Sequence, residues 1–206
     1  MEEKLIPDIV VGRLPLYLRA LQHMTNEGRQ VTSSQELGER LGISAAQIRK
    51  DLSQFGEFGK QGTGYHIDFL QDQIRKILKV DRVWSVAVVG AGDIGSAVAA
   101  YQGFANRGFQ VTMLFDNSPA KIGKKIGNFT VLDIATLEET IRKEGIQVAM
   151  ITVPADQAQA VADLLVKAGV KAILNYAPLS LNVPSEVRVQ NTDPATHLQR
   201  MTYYLD

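Results

Sequence analysis

Apolar positions early in the chain recur at helical spacing. Leu14, Leu18 and Leu21 share one face, which predicts a helix over residues 14 to 26 that Gly28 closes. Two capping boxes follow in succession. Ser33-x-x-Glu36 opens a short helix with Leu37 and Leu41 on one face; Gly42 breaks it and Ile43 plugs the corner. Ser44-x-x-Gln47 opens a second helix with Ile48, Leu52 and Phe55 at i, i+4 and i+7. Two short capped helices about a glycine turn predict a helix-turn-helix. The stretch FGEFGKQGTGYHI (55–67) then interleaves glycines with Phe55, Phe58 and Tyr65. That composition predicts a small hairpin, the wing of a winged helix, with Lys60 and Gln61 at its tip. A further helix over 68 to 79, with Leu70, Ile74 and Ile77 inward, leads out of the region.

Near residue 80 the pattern changes to apolar β-branched strands alternating with helices, the sign of a parallel sheet. Strands are predicted at 83–89, 111–116, 147–153, 171–175 and 186–190, and helices at 96–100, 136–144 and 156–168. The last stretch, DPATHLQRMTYYLD (193–206), carries Leu198, Met201 and Leu205 at helical spacing. The expected organisation is an α/β chain in three parts: a winged-helix domain over 1–79, a Rossmann domain over 80–192 and a C-terminal helix over 193–206.

Composition narrows the chemistry. Hydrophobic residues make up 45% of the 206, as in ordinary globular domains. The start, MEEKLIPDIV, lacks the core of a signal peptide, and no apolar run approaches the ~20 residues of a membrane span, so a cytoplasmic protein is expected. There are no cysteines, which excludes disulfides, thiolate metal sites and thiol oxidation as a sensing chemistry. His23, His66 and His197 have no ligand spacing, and no metal site is expected. Lysine plus arginine and aspartate plus glutamate both total 22. Neutrality argues against a generic polyanion-coating protein, though a local cationic stripe suffices for sequence-specific DNA binding.

The first predicted strand of the second region runs straight into GAGDIG (90–95), which matches the G-x-G-x-x-G fingerprint of dinucleotide binding. Gly90 permits the tight turn, Gly92 lets the backbone approach a pyrophosphate, and Gly95 lets helix and strand pack closely. The amides of Ala91, Asp93 and Ile94 then face the phosphates at the helix start. Asp116 ends the next strand about 20 positions on, where a carboxylate accepts from the adenosine ribose hydroxyls. A 2′-phosphate there would face a like charge, so NAD(H) is favoured over NADP(H). Lys121, Lys124 and Lys125 are placed to soften that preference or to form a solvated loop. Thr152, Val153 and Pro154 end a strand at the carboxyl edge, where Rossmann ligands bind. Pro154 could equally stop the strand, and Asp156 cap the next helix. Asn175 ends another strand at that edge, as a turn residue or as a contact to the nicotinamide half.

A dehydrogenase also needs a proton donor or acceptor beside the nicotinamide and a substrate pocket. The roughly 90 residues after Asp116 are consumed in finishing the sheet. His197 falls in the last helix, at the surface; Tyr101 could serve as an acid. A small oxidoreductase with an interaction domain, and a constitutive DNA-binding protein whose Rossmann domain merely dimerises, are the alternatives. A cofactor domain joined to a DNA reader favours a sensor.

The whole chain resembles the Rex family of redox-sensing repressors. The resemblance is carried by QIRKDLSQFGEFGKQGTGYHI (47–67), GAGDIG, Phe115-Asp116, TVPA (152–155) and LNYAP (174–178). It implies a homodimer that binds a palindromic DNA operator when NADH is scarce and leaves it when NADH accumulates. Arg49 and Lys50 would sit in the major groove and the wing in the minor groove; Ser44, Gln47, Lys60, Gln61 and Arg13 complete the implied DNA-binding set. An arginine that grips guanine O6 and N7 gives roughly 1–3 kcal/mol of discrimination. Asp51 is expected to orient a basic side chain or support the helix. Gln61 departs from the family, which commonly has arginine there, so groove affinity or its salt dependence is reduced. The resemblance further implies that the last helix swaps across the dimer, with Asp193 pairing with Arg19 of the partner subunit and with Tyr101 near the nicotinamide. Asp193 is also an ideal N-cap, and Pro194 an ideal first-turn residue. Some relatives carry an aromatic residue where this chain has Pro194. On this picture NADH shifts the Tyr101, Asp193 and Arg19 contacts and rotates the recognition helices off operator spacing.

Overall fold

The first helix begins earlier than its leucines predict. In the computed structural model, which describes residues 6–59 and 64–205, α1 runs Asp8–Asn26 with Pro7 at its N-cap and Pro15 inside it. Pro15 is exposed, so its missing N–H costs one backbone bond on the solvent side and leaves the core face intact. That face is Val10, Leu14, Tyr17, Leu21 and Met24, recurring three or four apart and all buried.

Both predicted caps form. Ser33 Oγ accepts the Glu36 N–H at 3.1 Å to open α2 (Ser34–Leu41), and Ser44 Oγ accepts the Gln47 N–H at 3.2 Å to open α3 (Ala45–Leu52). Gly42, left-handed at φ 66°, ends α2. Because α3 stops at Leu52, Phe55 lies in the turn beyond it, where its ring still packs on the core. α4 (Ile67–Ile77) lies against α1, with Leu70 and Ile74 fully buried.

The wing differs from expectation. Residues 56–59 form no strand; instead β2 (Tyr65–His66) pairs antiparallel with β1 (Val31–Thr32), a strand the sequence pattern does not signal. The Ile67 N–H donates to Gln30 O at 2.9 Å and extends that pairing. The expected tip residues Lys60 and Gln61 lie outside the described residues.

The chain divides into two compact units between Arg82 and Val83. The second is a seven-stranded sheet. β3 (Trp84–Val89), β4 (Phe109–Asp116), β6 (Phe129–Asp133), β7 (Val148–Ile151), β8 (Ala172–Asn175) and β9 (Arg188–Asn191) are parallel in the order β6-β4-β3-β7-β8-β9, and β5 (Lys125–Ile126) adds an antiparallel edge. Renumbered along the parallel strands this is 3-2-1-4-5-6, the doubly wound dinucleotide-binding order. Val86 to Val89 are all fully buried because a parallel sheet is covered on both faces. Val86 and Val88 join Leu114, Met150 and Ala99 of α5 (Asp93–Ala100) on one face. Ala87 and Val89 join α6 (Leu137–Glu144) and α7 (Ala155–Ala168) on the other. The hairpin β5–β6 and the 3-10 turn Gln102–Arg107 are not foreseen from the pattern. α8 (Pro194–Thr202) and the turn after it leave Leu198, Met201 and Leu205 exposed at 61%, 62% and 73%.

Candidate cofactor cleft and DNA-reading face

The order of the sheet brings the carboxyl ends of β3, β4 and β7 together, and the glycine loop sits there. Gly90 follows β3 with φ 107°, and a Cβ on it would lie 2.9 Å from Thr152 backbone atoms. At Gly95 a Cβ would stand 1.7 Å from Gly90 O, so only glycine lets α5 close onto β3. Gly92 differs: a Cβ there would meet nothing within 4 Å, which leaves its face open to a ligand. It is the N-cap of α5, and no side chain caps that helix. Its first amides therefore remain available to an anion. Asp93 and Ile94 lie exposed on the first turn.

Thr152 fastens the loop to β7. Its hydroxyl lies 2.8 Å from Gly90 O and 3.0 Å from Val89 O and donates to that pair. Val153 touches the glycine turn, and Pro154 is the N-cap of α7. Asp116, only 6% exposed at the end of β4, accepts the Ala91 N–H and the Lys121 ammonium on Oδ2, at 2.7 and 3.1 Å, and the Ser118 N–H on Oδ1 at 2.8 Å. Burial alone would raise this carboxyl, but the Ser118 and Ala91 amides and Lys121 outweigh it and hold it below its ordinary value. Lys121 is thus tied to Asp116 while its side chain stays half-exposed. The resulting cleft has a volume of about 290 Å³, near the lower end of the roughly 300–1,000 Å³ of ligand pockets. Sequence reasoning misses Asn117, Ser118, Ile134, Gln157 and Val161 on its wall. Asn117 and Ser118 could have been found by following the chain past Asp116; Ile134 and Val161 read as ordinary core.

Asn175 is held by its own loop and by β9. It is fully buried, its Nδ2 lies within hydrogen-bond distance of Ala177 O, Leu179 O and Asn191 Oδ1, and its Oδ1 accepts the Ala177 N–H. The side chain fastens its own loop to β9, which fits the turn reading.

In the first unit the organising group is Asp51, 1% exposed on α3. Its Oδ2 accepts Arg13 Nε at 2.5 Å and the Tyr17 hydroxyl at 2.6 Å; its Oδ1 accepts Arg13 Nη2 and Gln47 Nε2, each at 2.7 Å. Four donors fill the roughly four acceptor positions of a carboxylate. Burial opposes ionisation, yet the Arg13, Tyr17 and Gln47 hydrogen bonds prevail and hold Asp51 below its ordinary value. Burial and the Asp51 bond push the Tyr17 phenol well above its usual range. Asp51 does orient a basic side chain, as expected. The corollary is that Arg13 and Gln47, both expected at DNA, are held by Asp51, and the Ser44 oxygen is used as a cap. Arg49 and Lys50 lie exposed on α3, and the Arg49 guanidinium donates to Ser34 Oγ at 2.8 Å.

The three expected switch residues stand apart in their roles. Arg19 is exposed on α1, in a depression of about 440 Å³ with His23, Glu27 and Arg40, the last two paired at 2.6 Å. Tyr101 ends α5, 52% exposed, its ring edge-on to Phe104 at 5.0 Å. Asp193 caps α8, accepting the Ala195 N–H and the Thr196 hydroxyl at 2.9 Å each. His197 is exposed. Among the described residues there is no cluster of potential metal ligands, and no helix is long and apolar enough to cross a membrane.

Residues 5–53 match the family described as "Putative DNA-binding protein N-terminus", and residues 81–179 that described as "CoA binding domain". The redox-sensing transcriptional repressor Rex of Chloroflexus aurantiacus is 54% identical over 199 residues, covering 97% of this chain and 94% of the relative. That of Brevibacillus brevis is 44% identical over 200 residues, covering 97% of each chain. The crystal structure of RSP in complex with β-NAD⁺ and operator DNA aligns with a TM-score of 0.93 at 38% identity, covering 98% of this chain and 94% of the other. RSP in complex with β-NADH aligns at 0.89 and 36%, covering 98% and 95%. These relatives are repressors rather than enzymes, and they match both units in one alignment: the chain belongs to the Rex family of redox-sensing transcriptional repressors.

Proposed function

We propose that this protein is a homodimeric repressor that binds palindromic operator DNA and leaves it when NADH occupies the glycine-loop cleft. The observation that carries the reading is the pairing of an open, uncapped anion site at Gly92, next to a buried Asp116, with a capped helix that presents Arg49 and Lys50. The relatives support it: RSP is known with NAD⁺ and operator DNA, and with NADH.

The residues present fit a dinucleotide. The amides from Gly92 to Gly95 would hold its pyrophosphate, the Ala91 N–H being taken by Asp116, and Asp116 and Lys121 would hold its adenosine ribose. Thr152, Val153 and Pro154 form the opposite wall. The nicotinamide supplies the redox difference; the protein supplies the contacts that respond to it. Tyr101, Asp193 and Arg19 are the proposed relay, with Arg19 reaching Asp193 of the partner subunit. The exposed Leu198, Met201 and Leu205 would be covered by the dimer, and the protein would act in the cytoplasm. In the reader, Arg49 and Lys50 contact bases, while Arg13 and Gln47 act through Asp51, as positioning residues.

Fluorescence anisotropy of a short palindromic duplex, titrated with NADH over a fixed NAD⁺ background, tests this directly. Release by NADH is the expected result. Tight binding indifferent to NADH would leave a repressor without a sensor. Arg19→Ala should keep NADH binding and lose most of NADH's effect on DNA, since a coupling of ~1–3 kcal/mol is all that such a switch needs. Unchanged NADH control in that variant would refute the relay.

A further inference from the structure

Among the described residues lining the cofactor cleft, Lys121 is the only cation and Asp116 the only carboxylate, and they are bound to each other. This matters because a carboxylate at the end of the second parallel strand is what excludes a phosphorylated ribose, by placing like charges together. Here the charge is not bare. Oδ2 carries both the Ala91 N–H and the Lys121 ammonium, Oδ1 carries the Ser118 N–H, and one acceptor position of about four remains. A ribose diol brings two hydroxyls. One can donate to the remaining position on Oδ1; the other oxygen needs a donor, and the ammonium, with three N–H groups and one in use, has them to give.

We propose that Lys121 is a specificity-determining residue, which sets how sharply this cleft separates NADH from NADPH. This rests on the reading that the cleft takes NAD(H). Lys121 reduces the penalty that Asp116 imposes on a 2′-phosphate, so the chain discriminates less than its aspartate alone would. The effect is moderate because the Lys121 side chain is 41% exposed and its field is screened. Its place does not depend on the side chain: the Lys121 N–H donates to Ser118 O at 2.9 Å in the turn, and that bond survives truncation.

The test is direct binding of NADH and NADPH to the full-length protein, followed by cofactor fluorescence, for the native chain and for Lys121→Ala, Lys121→Gln and Lys121→Arg. Alanine and glutamine should weaken NADPH about tenfold and NADH less than threefold, as loss of one charge-assisted hydrogen bond to a phosphate predicts. Arginine should restore the native ratio. The salt dependence of NADPH binding should flatten in the alanine and glutamine variants, a change that a merely structural role would not produce. Equal weakening of both cofactors, an unchanged ratio, or NADPH binding too weak to measure in the native chain would overturn the proposal. Failure of the native chain to bind NADH would remove the underlying reading of the cleft instead.

Discussion

Each unit of this protein is built around a buried aspartate, and the two differ in what they gather. Asp51 collects side chains from two helices and has no acceptor position left. Asp116 collects two backbone amides and one lysine and is one donor short. The saturated carboxylate is an anchor: its bonds to Arg13, Tyr17 and Gln47 lie inside the fold and join α1 to α3. On the proposed reading the unsaturated one is a receptor for a ribose hydroxyl.

The largest expected effect follows from removing the anchor. Asp51→Ala leaves the fully buried Tyr17 hydroxyl and the Arg13 guanidinium without their acceptor, and should destabilise the first unit by about 3 kcal/mol. Trp84, the single tryptophan, lies in the second unit, so its fluorescence follows that unit while ellipticity follows both. An early ellipticity loss with an unmoved Trp84 transition is the expected pattern; coincident shifts would show that the comparison between units fails. Next, Gly95→Ala forces a methyl against Gly90 O and should cost the second unit about 2 kcal/mol, with loss of NADH binding and an intact Asp51 network. A native NADH affinity in that variant would contradict the close packing of α5 on β3.

Acid sharpens the same contrast. Both carboxyls are depressed in the folded chain from an ordinary value of 3.8, so their stabilisation is complete above that pH and fades as pH falls through the folded values. Asp51→Asn should therefore flatten the acid limb of stability below about pH 4, read from ellipticity, and leave the acid limb of the Trp84 signal unchanged. The smallest effect is Tyr17→Phe, which leaves Asp51 with its arginine and removes one hydrogen bond, at about 1 kcal/mol by thermal melting. A loss as large as that of Asp51→Ala would mean that the phenol, not the arginine, is the principal partner.

The local signals in the sequence were reliable because their partners are near. Ser33 and Ser44 find their amide three residues on, and the glycine fingerprint encloses its own turn. What stayed hidden depends on distant chain. Val31–Thr32 is a strand only because Tyr65–His66 returns to it, and two residues carry no period of their own. Asn175 is tied to Asn191, which its own position does not announce. Between Asp8 and Leu14 the helix α1 buries only Val10, too little to show a period. The same limit applies to Arg13 and Gln47, whose bonds to Asp51 the sequence does not announce.

The bond from Arg49 to Ser34 bears on time as well as on place. A free arginine on a helix samples many rotamers, and freezing it at an interface costs roughly 0.5–1.5 kcal/mol. Arg49 has already surrendered part of that freedom to a neighbouring helix, and on the proposed reading its other guanidinium N–H groups reach a base. The gain should show in how long the protein stays on its operator, since encounter rates within one interface vary far less than residence times.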